Sequence, residues 1–342
     1  MSLELPQPYL LFLGDESESR FAKTAFGLRD WARDLCVGEF VLPAGTLTTG
    51  LPRLTPTQAR ARGAQSIVIG VANRGGVLAA AWTPALLNAL EAGLDVISGM
   101  HGRLDEQREL KLAADRLGRR LIDVRRPPSN IPIATGRKRN GRRLLTVGTD
   151  CALGKKYTAL TLARAFKARG VDADFRATGQ TGILIAGSGV PIDAVVADFI
   201  AGAAEMLTPD ANSDHWDIVE GQGSIFHPSY AGVSLGLLHG AQPDVIVLCH
   251  EVGRDTVLGL DHYPTPSLEE AIDLHLRLAR RTNAHTLCAG VSLNTSRLNE
   301  LEARRTVAEY SDRLGLAVAD PLRPGRELEQ LVTDCLTMKA SA

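Results

Sequence analysis

Short apolar runs alternate with amphipathic stretches along almost the whole chain, and that rhythm sets the first expectations. In the N-terminal third, Tyr9–Gly14 reads as a buried strand, Phe21–Cys36 as a helical stretch and Glu39–Pro43 as a second strand. The run from Ser66 is apolar for four residues and passes into a glycine-rich loop with Asn73 and Arg74. A helix over Pro84–Ala92, a strand at Asp95–Ser98, a charged amphipathic helix over Asp105–Arg120 and a strand at Leu121–Val124 follow. Further on, strands are expected at Leu144–Val147, Ala173–Ala177, Asp217–Glu220, Asp244–Cys249, Leu287–Leu293 and Ala317–Asp320. The intervening helices are placed at the stretch carrying Leu160, Ala163 and Phe166, at Pro191–Glu205, Gly232–Leu238, Ser267–Arg281, Glu300–Leu314 and Arg326–Thr337. Ile183–Val190 reads as a glycine-rich turn, and Ser267 as the N-cap of its helix. Strands alternating with helices predict parallel sheets covered on both faces, an α/β protein.

Arg125–Arg143, RRPPSNIPIATGRKRNGRR, breaks the rhythm with paired prolines and seven Lys/Arg residues. It reads as a solvated linker. The expectation is a Rossmann-like N-terminal domain over residues 1–130 and a P-loop NTPase-like, doubly wound parallel sheet over 131–342. The N-terminal loops GDESES and GVANRGG lack Gly-x-Gly-x-x-Gly, so a packing or dimerisation role is favoured there over dinucleotide binding.

The second domain opens on RLLTVGTDCALGKKYTALTLARAFKAR, residues 143–169. Strand, glycine-bounded loop with lysine, then helix is the layout of a phosphate cradle, in which loop amides and a helix N-terminus converge on one anion. Five residues separate Gly148 from Gly154, one more than in the common G-x-x-x-x-G loop. That longer loop headed by Gly-Thr-Asp resembles dethiobiotin synthetase. Lys156 stands where a hydroxyl would bind Mg²⁺, and Thr158 lies two residues on. The cradle is therefore expected to hold a diphosphate without metal-assisted phosphoryl transfer. Its candidate ligands are Gly148, Thr149, Gly154, Lys155, Lys156, Tyr157 and Thr158.

Composition removes alternatives. A net charge of −1 and 5% aromatic residues argue against nucleic-acid partners. No apolar run reaches the about 20 residues that span a membrane, and the N-terminus lacks a secretory pattern. Five scattered cysteines fit reduced thiols and offer no metal spacing, so a cytoplasmic protein without a metal site is expected.

In an open α/β sheet, ligands collect at the carboxyl ends of the strands. The polar residues at those ends are Asp150 and Lys155, Thr178 and Gln180, Glu220 and Ser224, His250 and Arg254, and Asn294. One site assembled from five strands is the expectation.

With GTDCALGKKYTAL, RATGQTGILIAGSGVPIDAVVADFIAGAAE, EGQGS…HPSY and HEVGR in view, essentially the whole chain resembles the DgcN-type D-glutamate N-acetyltransferases. The resemblance implies acetyl transfer from acetyl-CoA to the amino group of D-glutamate, as a first step of D-amino-acid catabolism with a dehydrogenase-like enzyme downstream. Such chemistry needs a base, an oxyanion donor and cations for two carboxylates. His250 is the first candidate base, with Glu220 and Glu251 as acidic alternatives, and Asp150, a carboxylate inside the cradle, is expected to take part by contacting a substrate amine or a metal. Arg176 and Arg254 are the candidate carboxylate anchors, with Thr178, Gln180, Ser224 and His227 lining the pocket. Cys151, beside a helix N-terminus, is weighed as an acyl carrier against a small loop residue, and the latter is preferred. An ATP/Mg-dependent ligase or kinase of dethiobiotin-synthetase type and a non-enzymatic nucleotide sensor are the competing readings. The two α/β units lead us to expect a homo-oligomer.

Overall fold

A computed structural model describes residues 5–72 and 76–338, so the loop positions Asn73 and Arg74 lie outside the described residues. The chain forms two compact units, residues 1–127 with 179–191, and residues 128–178 with 192–342.

The first unit is built on β1 (Tyr9–Gly14), β2 (Cys36–Val41), β3 (Ser66–Ile69), β4 (Asp95–Ser98) and β5 (Leu121–Asp123). They form a parallel sheet in the order β2-β1-β3-β4-β5. Every residue of β1, β3 and β4 is buried, as a sheet covered on both faces requires. Its helices are α1 (Lys23–Trp31), α2 (Pro56–Ala61), α3 (Thr83–Glu91) and α4 (Arg108–Leu117). The helix expected over Phe21–Cys36 is shorter, because Cys36 already pairs with Tyr9 as the start of β2. Helix α2 was not expected, although its signal was in the sequence. Thr55 caps the Gln58 amide and the Gln58 side chain returns to the Thr55 amide, with Pro56 at the first helical position.

The second unit contains β6 (Arg142–Gly148), α5 (Lys155–Ala168) and β7 (Ala173–Arg176). The chain then contributes α6 (Gln180–Ala186) to the first unit. Residues 179–191 were expected in the second domain, and Ile183–Val190 as a turn. Instead Gln180–Ala186 is helical, the Thr181 hydroxyl meets that of Thr24 at 3.0 Å, and Gln180 lies against Gly99. The chain re-enters the second unit at Ile192, whose amide donates to Thr178 at 3.0 Å. It continues through α7 (Ile200–Leu207), β8 (Trp216–Val219), α8 (Ala231–Ala241), β9 (Val245–Glu251), and an antiparallel hairpin, β10 (Thr256–Val257) with β11 (Leu260–Pro264). The end of the unit is α9 (Leu268–Ala279), β12 (Leu287–Asn294), α10 (Glu300–Leu314), β13 (Ala317–Ala319) and α11 (Arg326–Thr337). Ser267 caps α9 as its sequence predicts, accepting the Glu270 amide.

The six-stranded sheet runs β13-β12-β9-β6-β8-β7, all parallel. From β6 the connections lead toward β8 and β7, whereas from β9 they lead toward β12 and β13. Adjacent strands β6 and β9 therefore send their loops in opposite directions, and a crevice opens between them at their carboxyl ends. The core beside β6 holds Leu144, Ala159, Leu162 and Phe166, with the Phe166 ring edge-on to Trp216 at 5.3 Å. Burying a ring of that size contributes about 2–3 kcal/mol.

The basic segment before β6 is not a solvated linker throughout. Arg143 is fully buried, and its guanidinium donates to the carbonyls of Arg139, Asn140 and Gly141. Arg139 is buried too, donating to Thr208 and Gly240. Their cationic heads consume backbone carbonyls that burial would otherwise leave without donors. Among the described residues no helix is long and apolar enough to cross a membrane.

Helices α7 and α8 pack through glycine. A Cβ on Gly240 would lie 2.1 Å from the Ala201 carbonyl oxygen, and backbone cannot retreat as a side chain can. We expect Gly240→Ala to lower unfolding free energy by about 2 kcal/mol or more, measured by urea denaturation; an unchanged midpoint would mean the two helices separate at no cost.

Candidate functional site

The turn from β6 into α5 winds through two left-handed residues, Ala152 at φ 56° and Gly154 at φ 111°. Gly154 is the N-cap of α5, so no side chain caps this end and its first amides are left for an outside acceptor. Lys155 opens the helix, is only 7% exposed, and donates from Nζ to the Asp150 carbonyl at 2.7 Å. Burial pushes its pKa down, and so does the nearby Arg254, against the smaller pull of Cys151, Cys249 and Asp150. A buried ammonium held by a carbonyl is a cation short of a counter-charge, and an incoming anion would supply it.

Asp150 is fully buried and its carboxylate is consumed inside the protein. It accepts from the Cys151 amide at 2.6 Å, the Arg254 guanidinium at 2.9 Å and the Leu258 amide at 2.8 Å. This joins the loop after β6, the loop after β9 and the tip of the β10–β11 hairpin. In place of the expected contact with a substrate amine or metal, Asp150 serves here as an anchor, each of its oxygens already holding a donor. The sequence gives no sign of the hairpin's part, because Leu258 contributes only its backbone.

Around the crevice the other expected residues sort by how they are engaged. Thr149 is fully buried; its hydroxyl meets His250 Nδ1 at 2.9 Å and its amide donates to Cys249. His250 itself is 8% exposed. Burial first, and the neighbouring Arg254 second, hold its pKa below the ordinary range, so the ring is neutral at pH 7. Glu220 accepts from the Thr178 amide at 3.0 Å, while the Thr178 hydroxyl donates to the Glu220 carbonyl. Gly221 follows because a Cβ there would lie 1.7 Å from the Thr146 carbonyl oxygen. Ser224 donates to the Gly148 carbonyl at 3.1 Å and thereby ties the loop after β8 to the phosphate-type turn. Lys156 lies over the Tyr157 ring at 5.2 Å, both partly exposed at the start of α5. Asn294, at the end of β12, pairs in register with Glu251.

Two expected ligands, Thr158 and Arg176, are engaged elsewhere. The Thr158 hydroxyl turns into the core, donating to the Gly154 carbonyl and meeting Ser292 at 2.8 Å, so it does not replace the missing metal-binding hydroxyl. Arg176 pairs with buried Asp217 at 2.5 Å and with Asp174 at 3.5 Å, which makes it a structural cation. Gln180 belongs to the first unit. Arg254 is engaged as well, gripping Asp150 and Glu251 together, while Glu251 also pairs with the largely exposed Arg297 at 2.9 Å. Arg297 was missed because nothing in its sequence surroundings ties it to β9.

One cluster was invisible to sequence spacing. Asp150, Cys151 and His227 each bring a donor atom to one spot, all within 4.8 Å of one another. His227 sits 76 positions after Cys151, and only the loop after β8 carries it there. Beside the turn, Gly148, Lys155, Gly221, Ser224, Ser234 and His275 line a small cleft. His275 Nδ1 donates to the Ala271 carbonyl at 2.7 Å.

Fold and site together define a P-loop protein carrying a Rossmann-like N-terminal unit. The chain belongs to the DUF1611 family: residues 132–332 match its P-loop domain and 38–127 its Rossmann-like domain, both described as domains of unknown function. It is similar to a D-glutamate N-acetyltransferase of Tritonibacter scottomollicae, 51% identical over 93% of this chain and 96% of that one. A second protein of that name, from a Pseudoalteromonas species, is 46% identical over 94% and 97%. Among solved structures, a DUF1611 family protein from Anabaena variabilis superposes with a TM-score of 0.86, at 32% identity over 97% of this chain and all of that one.

The buried histidines make stability depend on pH. Burial holds His275 at about 4 against its ordinary 6.5, so its neutral form is favoured by the fold. Its contribution is complete above pH 6.5 and is lost as pH falls toward 4, by about 3 kcal/mol. His250 shifts in the same direction, while His215, raised beside Asp172 and Asp217, opposes them. Urea titrations from pH 7 to 4 should therefore show a shallower decline in His275→Gln than in the unaltered protein; parallel curves would contradict this account.

Proposed function

We propose that this protein is a D-glutamate N-acetyltransferase that takes its acetyl group from acetyl-CoA. The observation that carries the reading is the match at 51% and 46% identity, over more than nine-tenths of the chain, to two proteins of that name. The geometry supports it at the turn after β6. CoA carries a diphosphate, and the amides at the start of α5 with Lys155 offer donors and a cation at one place. Binding there would turn Lys155 from the Asp150 carbonyl toward the phosphates.

Acetylation requires the substrate ammonium to lose protons. His250, neutral and oriented through Nδ1 by Thr149, is the base we assign, with Nε2 as the accepting nitrogen. Its lowered pKa makes it a modest base but keeps it unprotonated at neutral pH. For the substrate carboxylates, Arg254 is retained as anchor through an exchange of partners, one carboxylate taking the place of Glu251. The ATP/Mg reading receives less support, since Lys156 occupies the hydroxyl position and Thr158 is committed to Ser292.

Incubation with acetyl-CoA and D-glutamate should yield N-acetyl-D-glutamate and free CoA, detected by mass spectrometry and thiol titration. No product from either glutamate enantiomer, with acetyl-CoA intact, would remove the reading. In calorimetry, Lys155→Ala should weaken acetyl-CoA binding by about tenfold or more, as expected for loss of a charged hydrogen bond. Unchanged affinity would move the CoA phosphates away from this turn.

A further inference from the structure

Glu251 ends β9 with its carboxylate buried between two arginines, its side chain only 7% exposed. Oε2 accepts from Arg254 Nη2, and Oε1 accepts from Arg297 Nη2 at 2.9 Å. The two arginines are held in different ways. Arg254 Nη1 donates to Asp150 at 2.9 Å and to the Cys151 carbonyl at 3.0 Å, so that half of the guanidinium belongs to the turn after β6. The Arg254 main chain is fixed as well, its amide donating to the Glu251 carbonyl and its carbonyl accepting from the Thr265 hydroxyl at 2.7 Å. Nη2 is the half that meets Glu251.

Arg297 comes from the loop after β12, the strand beside β9 in the sheet. The Asn294 side chain accepts the Ser296 amide at 3.1 Å, the Leu298 amide donates to Thr295 at 2.9 Å, and Arg323 donates to the Leu298 carbonyl at 2.9 Å. The backbone is thus set on both sides of Arg297, while its side chain is 67% exposed. An ion pair with so exposed a partner contributes little to stability. Its effect on local charge is larger. Asp150 and Glu251 against Arg254 alone would make the cluster net negative and repel any anion, and Arg297 brings the charges into balance.

We propose that Arg297 is a positioning residue, which keeps Glu251 paired while Arg254 Nη2 turns to an oxyanion of a bound substrate; this rests on the acetyltransferase reading above. Released from Arg254 with no second cation, Glu251 would be a buried carboxylate without a counter-charge, a state that burial makes costly. With Arg297 on Oε1, Glu251 gives up one of two partners and keeps the other. Arg254 exchanges one oxyanion for another, so as many ion pairs follow the exchange as preceded it. Nη1 stays with Asp150 and the Cys151 carbonyl throughout, and the turn keeps its shape. Arg297 itself touches no substrate in this arrangement. The incoming oxyanion is a carboxylate of the amino acid or a phosphate of CoA, since a guanidinium fork takes either.

Steady-state kinetics on the full chain tests this, with D-glutamate and acetyl-CoA varied in turn. Arg297→Ala, with a melting temperature matching the parent, should raise KM roughly tenfold for the substrate that Arg254 holds and leave kcat within about twofold. A larger rise for D-glutamate assigns the oxyanion to a carboxylate of the amino acid, and a larger rise for acetyl-CoA assigns it to a CoA phosphate. Arg297→Lys should recover most of the loss. Glu251→Gln should lower the same KM, because a neutral amide competes less for Arg254. Added to Glu251→Gln, Arg297→Ala should change KM by less than about twofold, since no carboxylate is left to hold. A loss that persists in full beside Glu251→Gln would mean that Arg297 contacts the substrate itself, and would overturn the holding role. Unchanged KM for both substrates in Arg297→Ala would overturn it too, while leaving the acetyltransferase reading in place. A parent protein that makes no product from either glutamate enantiomer would sink that reading instead. Calorimetry with acetyl-CoA alone would then decide the holding role: weaker binding by Arg297→Ala supports it, and equal binding ends it.

Discussion

A single buried carboxylate holds the working end of the second unit together. Asp150 has no exposed surface, yet it keeps three donors from three separate segments: its own loop, the loop after β9 and the tip of the hairpin that follows. An ionised group taken from water is tolerated only when its lone pairs are met in full, so these segments cannot move independently without leaving charge unpaired. Removing Asp150 would leave Arg254 with Glu251 as its carboxylate partner, and removing Arg254 would leave buried Asp150 held by the Cys151 and Leu258 amides. The turn after β6 is thus preorganised before any ligand arrives.

Around that anchor the polar groups divide into those that shape the turn and those with capacity left over. Ser224, Thr146 and Thr178 direct their hydroxyls at backbone carbonyls or accept from backbone amides, and they fix where β6 and β8 end relative to one another. Lys155, His250, Cys151 and His227 differ from these. Lys155 is held at Nζ by a carbonyl that an anion could replace, His250 and His227 are each held through Nδ1 by Thr149 and the Ser229 amide, and Cys151 is held through its main chain. Fixed positions are what transfer of a small group demands, since a misplacement of an ångström is costly in rate.

Much of this was legible in the chain itself. The strands of both sheets fall close to their expected places, and α10 and α11 coincide with their predicted spans, because a period of two or of 3.6 in apolar residues is a local property. The phosphate-type turn was legible for the same reason, being one continuous stretch from Gly148 to Lys155. What failed were statements about partners. Arg176 was expected at a substrate and is held by Asp217; Thr158 was expected at a phosphate and is turned to Ser292. Residues 179–191 read as part of the second domain because they lie within it in sequence, and they pack with the first because Thr181 and Gln180 find Thr24 and Gly99 there.

The sequence by itself determined two α/β units, a parallel sheet in each, a lysine-bearing turn between β6 and α5, and the family to which the chain belongs. Those properties are written in local periodicity and in contiguous motifs, which need no knowledge of what lies far along the chain. Tertiary structure alone decided which cations were already spent, that Leu258 reaches back to Asp150, and that His227 meets Cys151. Strand order decides such meetings: β6 lies between β8 and β9, so the loops of strands distant in sequence converge at one edge. Hydrogen bonds and charges act over a few ångströms of space, whatever the number of residues between them.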